Sequence, residues 1–306
     1  MVRHFKNEIS LRQAQEYEKH GFLALAAIEY LGYHEYFEES EFPWGMDAES
    51  AHYAHNKYYE LLKKLPYAQL SKTSFVKGCQ CPRALWLYKN KYNEGRVTEE
   101  QKEKFRIGHI VGLMAQKLFV DGKDASKYIK TDNFKLKQNL WIEQTRELIE
   151  DGKECVFEAA FSYDKVFAAV DILQCKEGSN IALEVKSSYD IKDVYIMDCA
   201  LQYYVISHNM TLSDFFLIYP NKEYIDSLGL DINDLKVQDL DLEQLFKRRS
   251  ILGEVQSLQP LVKQKIKKLK PLLKSKKEPT FSMGDYCTSP YNCEFIDYCS
   301  QHYKVD

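Results

Sequence analysis

Two carboxylates and an ammonium in the middle of this chain interrupt segments that otherwise alternate as if half-buried. In IALEVKS, period-two alternation puts Ile181, Leu183 and Val185 on one face and Ala182, Glu184 and Lys186 on the other. In the preceding segment VFAAVDIL, Asp171 breaks an apolar run. A carboxylate in such a run is expected to be buried, and a buried charge requires a partner. Pairing the two segments as strands brings Asp171 near Glu184. Two carboxylates in contact repel unless a proton or a cation lies between them. Mg²⁺ or Mn²⁺ meets that demand, because both ions suit hard oxygen ligands. A metal held there activates water and stabilises charge on phosphate oxygens. Lys186 would orient that water or stabilise the developing charge. A cross-strand salt bridge is the plainer reading of an E-x-K pair. The preceding Asp171 and the helical segment that follows favour a site.

A second group is split across the chain. Cys81 sits in QCPRALWL, and Cys287, Cys293 and Cys299 sit in YCTSPYNCEFIDYC with a C-x5-C-x5-C spacing. Four thiolates suit a [4Fe–4S] cluster or a structural Zn²⁺. The short C-x2-C knuckles common at zinc sites are absent. The N-terminal MVRHFKNEIS lacks the apolar stretch of a secretory signal, so a reducing, cytoplasmic setting is expected. In that setting the eight cysteines do not read as a disulfide framework. Cys155, Cys175 and Cys199 read as small buried hydrophobes.

These residues need elements to position them. CVFEAAFSY (155–163), VFAAVDILQ (166–174) and NIALEVKSS (180–188) alternate as three successive strands. Residues 164–165 make a tight hairpin turn, and EGSN (177–180) a longer loop. Residues 99–119 and 132–150 read as helices before the strands, and 192–208 as a helix after them. DFFLIYP (214–220) reads as a further strand. The fold class is therefore α/β. Upstream, residues 10–31 are expected to form one helix, capped by Ser10 with Gln13 and stopped by Gly32. Residues 48–65 form another, ended by Pro66, so 1–66 reads as a helical N-terminal extension and 67–306 as the main domain. His52 and His55 lie three apart without an evident ligand partner and read as surface or packing residues. Residues 221–277 read as mainly helical, linking the core to the cysteine tail.

Composition excludes little. Among 306 residues, 45% are hydrophobic and 28% charged, ordinary for a globular chain. No apolar run approaches the roughly 20 residues of a membrane span, so no membrane partner is expected. The net charge of −3 does not by itself mark a nucleic-acid binder. Charge is unevenly spread, however. Residues 1–66 carry seven Lys/Arg against eleven Asp/Glu, whereas 260–277 hold eight lysines and no acid. Such a run suits either a phosphate backbone or a solvated helix face.

V-D-I-L followed by L-E-V-K resembles the D…E-x-K signature of the PD-(D/E)XK nucleases. More narrowly, the chain resembles the RecB-like domain of CRISPR-associated exonucleases that carry an iron–sulfur cluster. The resemblance covers residues 67–306, breaks down in 221–277 and leaves out 1–66. It implies a central mixed sheet flanked by helices in the order αβββαβ. It implies that Asp171 and Glu184 bind Mg²⁺ or Mn²⁺, with His109 of RIGHIVG as an additional ligand and Lys186 in catalysis. Glu158 in FEAAF fits an acid often found on the first strand. Gln202 in DCALQYY fits a catalytic-site glutamine, although the tyrosine usual four residues later is replaced by Ile206. Cys81, directly before Pro82, fits the N-terminal cluster ligand better than Cys79 does. With Cys287, Cys293 and Cys299 it would bind a [4Fe–4S] cluster that staples the two ends of the domain. The implied activity is a metal-dependent deoxyribonuclease, exonuclease rather than endonuclease, acting on single-stranded DNA or duplex ends. Residues 1–66 would be left for a protein partner or self-association. The alternative is a non-catalytic nucleic-acid or partner-binding module that keeps the fold.

Overall fold

A computed structural model describes residues 11–40, 46–127, 129, 131–176, 178–234 and 240–303 of the protein. The chain opens with three helices, α1 (Leu11–Lys19), α2 (Leu23–Glu39) and α3 (Ala48–Lys64). A two-residue strand β1 (Leu70–Ser71) leads into α4 (Lys72–Gln80), α5 (Pro82–Asn90) and α6 (Glu99–Gln116). A short β2 (Lys123–Asp124) and α7 (Phe134–Glu150) precede the meander β3 (Cys155–Tyr163), β4 (Val166–Lys176) and β5 (Ser179–Val185). Then come α8 (Asp193–Ile206), β6 (Asp214–Pro220), α9 (Lys222–Ser227), α10 (Leu242–Leu245) and β7 (Phe246–Ser250). The chain closes with α11 (Leu252–Ser257), α12 (Gln259–Leu272) and α13 (Ile296–His302).

The result is an α/β molecule with 13 helices among the described residues and one mixed sheet. The sheet order is β2-β3-β4-β5-β6-β7, and β1 pairs with the first residues of β4. Pairs β3–β4, β4–β5 and β6–β7 are antiparallel, while β5–β6 is parallel through the α8 crossover. The β3–β4 turn is the two-residue hairpin expected from the sequence. Asp164 and Lys165 both take positive φ, 47° and 58°, the backbone that matches strand twist in such a turn.

Two helical layers cover the sheet. Alternating residues such as Val170, Leu173, Ala182 and Phe215 pack with Phe75 of α4, Leu201 of α8 and Ile266 of α12. The opposite residues Phe157, Ile172, Leu183 and Ile218 pack with Val111 and Met114 of α6. On β3 and β4 the inward parity changes at a single rung. Ala159 and Val170 pair and face the α8 layer, whereas Phe157 and Ile172 pair and face the α6 layer. The rung between them is Glu158 opposite Asp171, and Glu158 has φ 53°. A left-handed residue inside a strand breaks the two-residue alternation. Trp141 of α7 donates its indole N–H to the Glu158 carbonyl at 2.5 Å, which holds the kink.

The N-terminal helices differ from the sequence reading in two respects. The expected helix over 10–31 is two helices, broken at Gly21 with φ 75°. The Gly21 and Phe22 amides donate to the carbonyls of Glu18 and Tyr17, and the Phe22 and Tyr17 rings meet edge-on at 6.0 Å. This is a Schellman stop with its usual apolar contact. Gly32 does not end α2, which continues to Glu39. The expected capping residue Ser10 lies outside the described residues. α1, α2 and α3 share a core that includes Leu136 and Leu140 of α7. Glu143 of α7 accepts the amides of Ala24 and Leu25 at the start of α2.

Candidate functional site

β4 and β5 pair from Lys176↔Ser179 to Ile172↔Leu183 and then separate. The next rung would be Asp171 with Glu184. There the backbone pairing stops, and the Asp171 side chain accepts the Val185 amide at 2.6 Å. On its other edge β5 remains paired to β6 through Glu184↔Leu217 and Val185↔Ile218. One strand is thus fixed from both sides, by backbone on one and a carboxylate on the other. The fork between β4 and β5 is filled by side chains from α4 and α8.

Lys72, the first residue of α4 after the capping Ser71, donates to Glu184 Oε1 at 2.9 Å. Lys186 donates to the same oxygen at 2.7 Å and to Asp198 Oδ2 of α8 at 2.6 Å. Glu184 is 1% exposed. Burial pushes its carboxyl up, but the Lys186 and Lys72 ammonium groups override burial and hold it well below the ordinary range. Asp171 is raised, by burial first and by the neighbouring Glu184 second. Glu158, across the strand pair, is pushed up to about 8 by burial and then by the charges of Asp171 and Glu184.

Asp171, Glu184 and Lys186 lie along a cleft of about 520 Å³, together with Glu158 and Asp124. His109 lines the same cleft from α6. Gln202 does not: it is fully buried in α8, and among the described residues neither its amide nitrogen nor its oxygen has a hydrogen-bond partner. The bond from Gln202 to Asp198 that helical spacing allows is not formed. Four residues of the site are not evident from the motif itself. Lys72 and Asp198 complete the ion-pair network, and Tyr195 and Tyr291 line the cleft beside Lys186. The Lys186 Nζ lies 5.4 Å from the Tyr195 ring centre. A charge count points to Lys72, because two buried carboxylates next to one lysine leave room for a second cation.

Whether the residues fit a divalent cation follows from that count. Asp171, Glu184, Asp198 and Glu158 are four carboxyls facing two ammonium groups. Among the described residues, Glu184 Oε2 and Asp198 Oδ1 are buried without a partner, an arrangement that normally costs free energy. A hard dication satisfies both demands, so the donor set fits Mg²⁺ or Mn²⁺. Among the described residues, no three His, Cys, Asp or Glu side chains are yet gathered tightly enough to hold a metal as they stand.

The four candidate cluster cysteines lie together. Cys81, Cys287, Cys293 and Cys299 line one small cavity between α5, α13 and the preceding loop. Cys79 is elsewhere, beside Lys265 of α12. Burial pushes the Cys293 thiol up to about 11 and also raises Cys81 and Cys299. Backbone amides of Arg83 and Ala84 oppose this at Cys81, as does the 2%-exposed Arg83 side chain at Cys299. Amides and a buried guanidinium aimed at sulfur favour thiolates, which suits a cationic metal group. Gln80, the residue before Cys81, donates to the carbonyls of Tyr286 and Tyr291 at 2.7 Å each. The loop that carries Cys287 and Cys293 therefore also delivers Tyr291 to the cleft. Cys155 and Cys199 are buried as expected, and Cys175 is half-buried.

No family model matches the chain, and no curated protein matches it. Among solved structures, the chain is similar to one described as "Crystal structure of SSO0001", with 12% identity and a TM-score of 0.28 over 68% of this chain and 81% of that one. At that distance the likeness bears on neither fold family nor function.

Proposed function

We propose that the protein is a metal-dependent DNA nuclease of the RecB-like PD-(D/E)XK type, acting on single strands or duplex ends. The observation that carries this reading is the β4–β5 fork. Asp171, Glu184 and Lys186 meet there on the floor of an open cleft, with more carboxylate than cation. Asp171 and Glu184 would hold Mg²⁺ or Mn²⁺, with His109 on the facing wall and Glu158 beside them. When bound, the ion supplies charge stabilisation at phosphate oxygens and an acidified water. Lys186 places its ammonium at the cleft, where it can stabilise charge developing on phosphate. Lys72 and Asp198 hold Lys186 and Glu184 in register. Tyr195 and Tyr291 offer ring faces at the rim for unpaired bases. Cys81, Cys287, Cys293 and Cys299 would hold a [4Fe–4S] cluster that ties α5 to the C-terminal segment.

One observation favours a second reading, a binding module without catalysis. Lys186 is engaged by both Glu184 and Asp198, so the network is partly self-neutralised. The test is hydrolysis of end-labelled and circular single-stranded DNA with Mn²⁺. Glu184→Ala and Lys186→Ala are expected to lower the rate by about 100-fold or more. Cleavage at the wild-type rate by either variant defeats the assignment. Binding without hydrolysis under any divalent ion supports the module. Iron and sulfide analysis with visible absorbance on anaerobically purified protein separates the cluster from zinc.

A further inference from the structure

We propose that α12 and the β3–β4 hairpin form a second nucleic-acid surface, outside the cleft, that binds the phosphate backbone and stacks bases of a single strand. Lys263, Lys267, Lys270 and Lys274 recur at i, i+4, i+7 and i+11, one stripe of α12 and the turn beyond it. The adjacent stripe, Val262, Ile266, Leu269 and Leu273, is buried against α4 and α8. The lysines therefore sit where the helix is fixed in place but its cations face outward. Lys263, Lys267 and Lys274 are exposed and make no ion pair among the described residues. Five exposed lysines on other helices do, while among the described residues Lys63 and Lys137 stand alone without such a row around them. Lys19, Lys64, Lys102, Lys104 and Lys222 each pair with a carboxylate three or four residues away. A helix built only to be solvated has the same use for such acids, and here none is present.

The stripe leads to an aromatic platform. Lys270 bonds Asp164 at the hairpin tip, and Tyr204 donates to the same carboxylate at 3.3 Å. Next to it the Tyr163 and His208 rings stack at 3.7 Å and 13°, and both residues are exposed. A row of unpaired cations, joined through Lys270 and Asp164 to the hairpin that carries an exposed stacked ring, supplies the two elements of sequence-tolerant single-strand binding.

The test measures binding of a labelled 30-nucleotide oligo(dT) to the full chain in EDTA, so hydrolysis plays no part. Lys263→Glu/Lys267→Glu/Lys274→Glu is expected to weaken binding by tenfold or more and to reduce the slope of log affinity against log salt by about 2. Tyr163→Ala is expected to cost roughly tenfold with the salt slope unchanged. The charge-matched control Lys19→Glu/Lys64→Glu/Lys222→Glu should bind within about twofold of wild type. Wild-type affinity in the α12 variant, or an equal loss in the control, overturns the proposal. So does an α12 variant that loses only self-association, which would make this face an interface between copies. Strong binding here with no cleavage in Mn²⁺ leaves the surface standing and ends the nuclease reading.

Discussion

At the residue scale, Glu158 shows most directly what the site demands. Its backbone is left-handed, its carbonyl is held by Trp141, and its carboxyl is raised to about 8 beside Asp171 and Glu184. The folded state thus keeps a proton that the unfolded chain releases at lower pH. A raised carboxyl contributes stability that is present at low pH and lost as pH climbs toward about 8. Thermal unfolding of metal-free protein should therefore show wild type losing stability relative to Glu158→Gln between about pH 5 and pH 8. A difference that does not change with pH would remove Glu158 from the charge cluster. The same protons must leave when a cation binds. Isothermal titration with Mn²⁺ in buffers of different ionisation heat should report proton release, and the affinity should increase with pH. Asp171, Glu184 and Lys186 are legible in the sequence because charge interrupts alternation on a strand. Lys72, Asp198, Tyr195 and Tyr291 are not, because each reaches the site from an element whose packing no local pattern encodes. Gln202 shows the reverse: a residue singled out only by the family resemblance is a fully buried amide that does not line the cleft.

At the scale of elements, the strands were the readable part and the ends of helices were not. The expected bounds 155–163 and 214–220 coincide with β3 and β6, since both strands carry runs of buried apolar residues. β7, FKRRS, has no such signal. It is an edge strand, where charged side chains guard unpaired backbone, so it goes unseen inside the 221–277 stretch that reads as mainly helical. The break between α1 and α2 turns on a single glycine whose positive φ a periodicity count does not register. The loop between Cys287 and Cys293 allows a sharper prediction, because Gln80 anchors it beside Cys81 and it carries Tyr291 to the cleft. If the chain is the cluster-bearing nuclease proposed above, Gln80→Ala should retain iron yet raise KM for single-stranded DNA, with kcat changed much less. Tyr291→Ala should do the same. Equal losses in kcat would place Tyr291 in the chemical step rather than in strand positioning.

For the whole molecule, the three N-terminal helices are part of one packing problem with α7, the helix that lies on β3. Tyr30 and Leu61 are fully buried in a cluster shared with Leu136 and Leu140 of α7, and Glu143 of α7 caps α2. Each such apolar side chain contributes about 2 kcal/mol on burial. Removing residues 1–66 should therefore lower the melting temperature and promote association, measured by scanning calorimetry and light scattering. An intact, monomeric truncated domain would show instead that α7 tolerates solvent on that face. Chain topology adds a consequence of the shared cysteine cavity. A group bonded to Cys81 and Cys299 would turn the segment between them into a closed ring of about 220 residues. By the loop-entropy relation used for crosslinks, closing such a ring removes roughly 5 kcal/mol of freedom from the unfolded chain. Losing the group would then leave the folded contacts in place and enlarge the ensemble against which they compete.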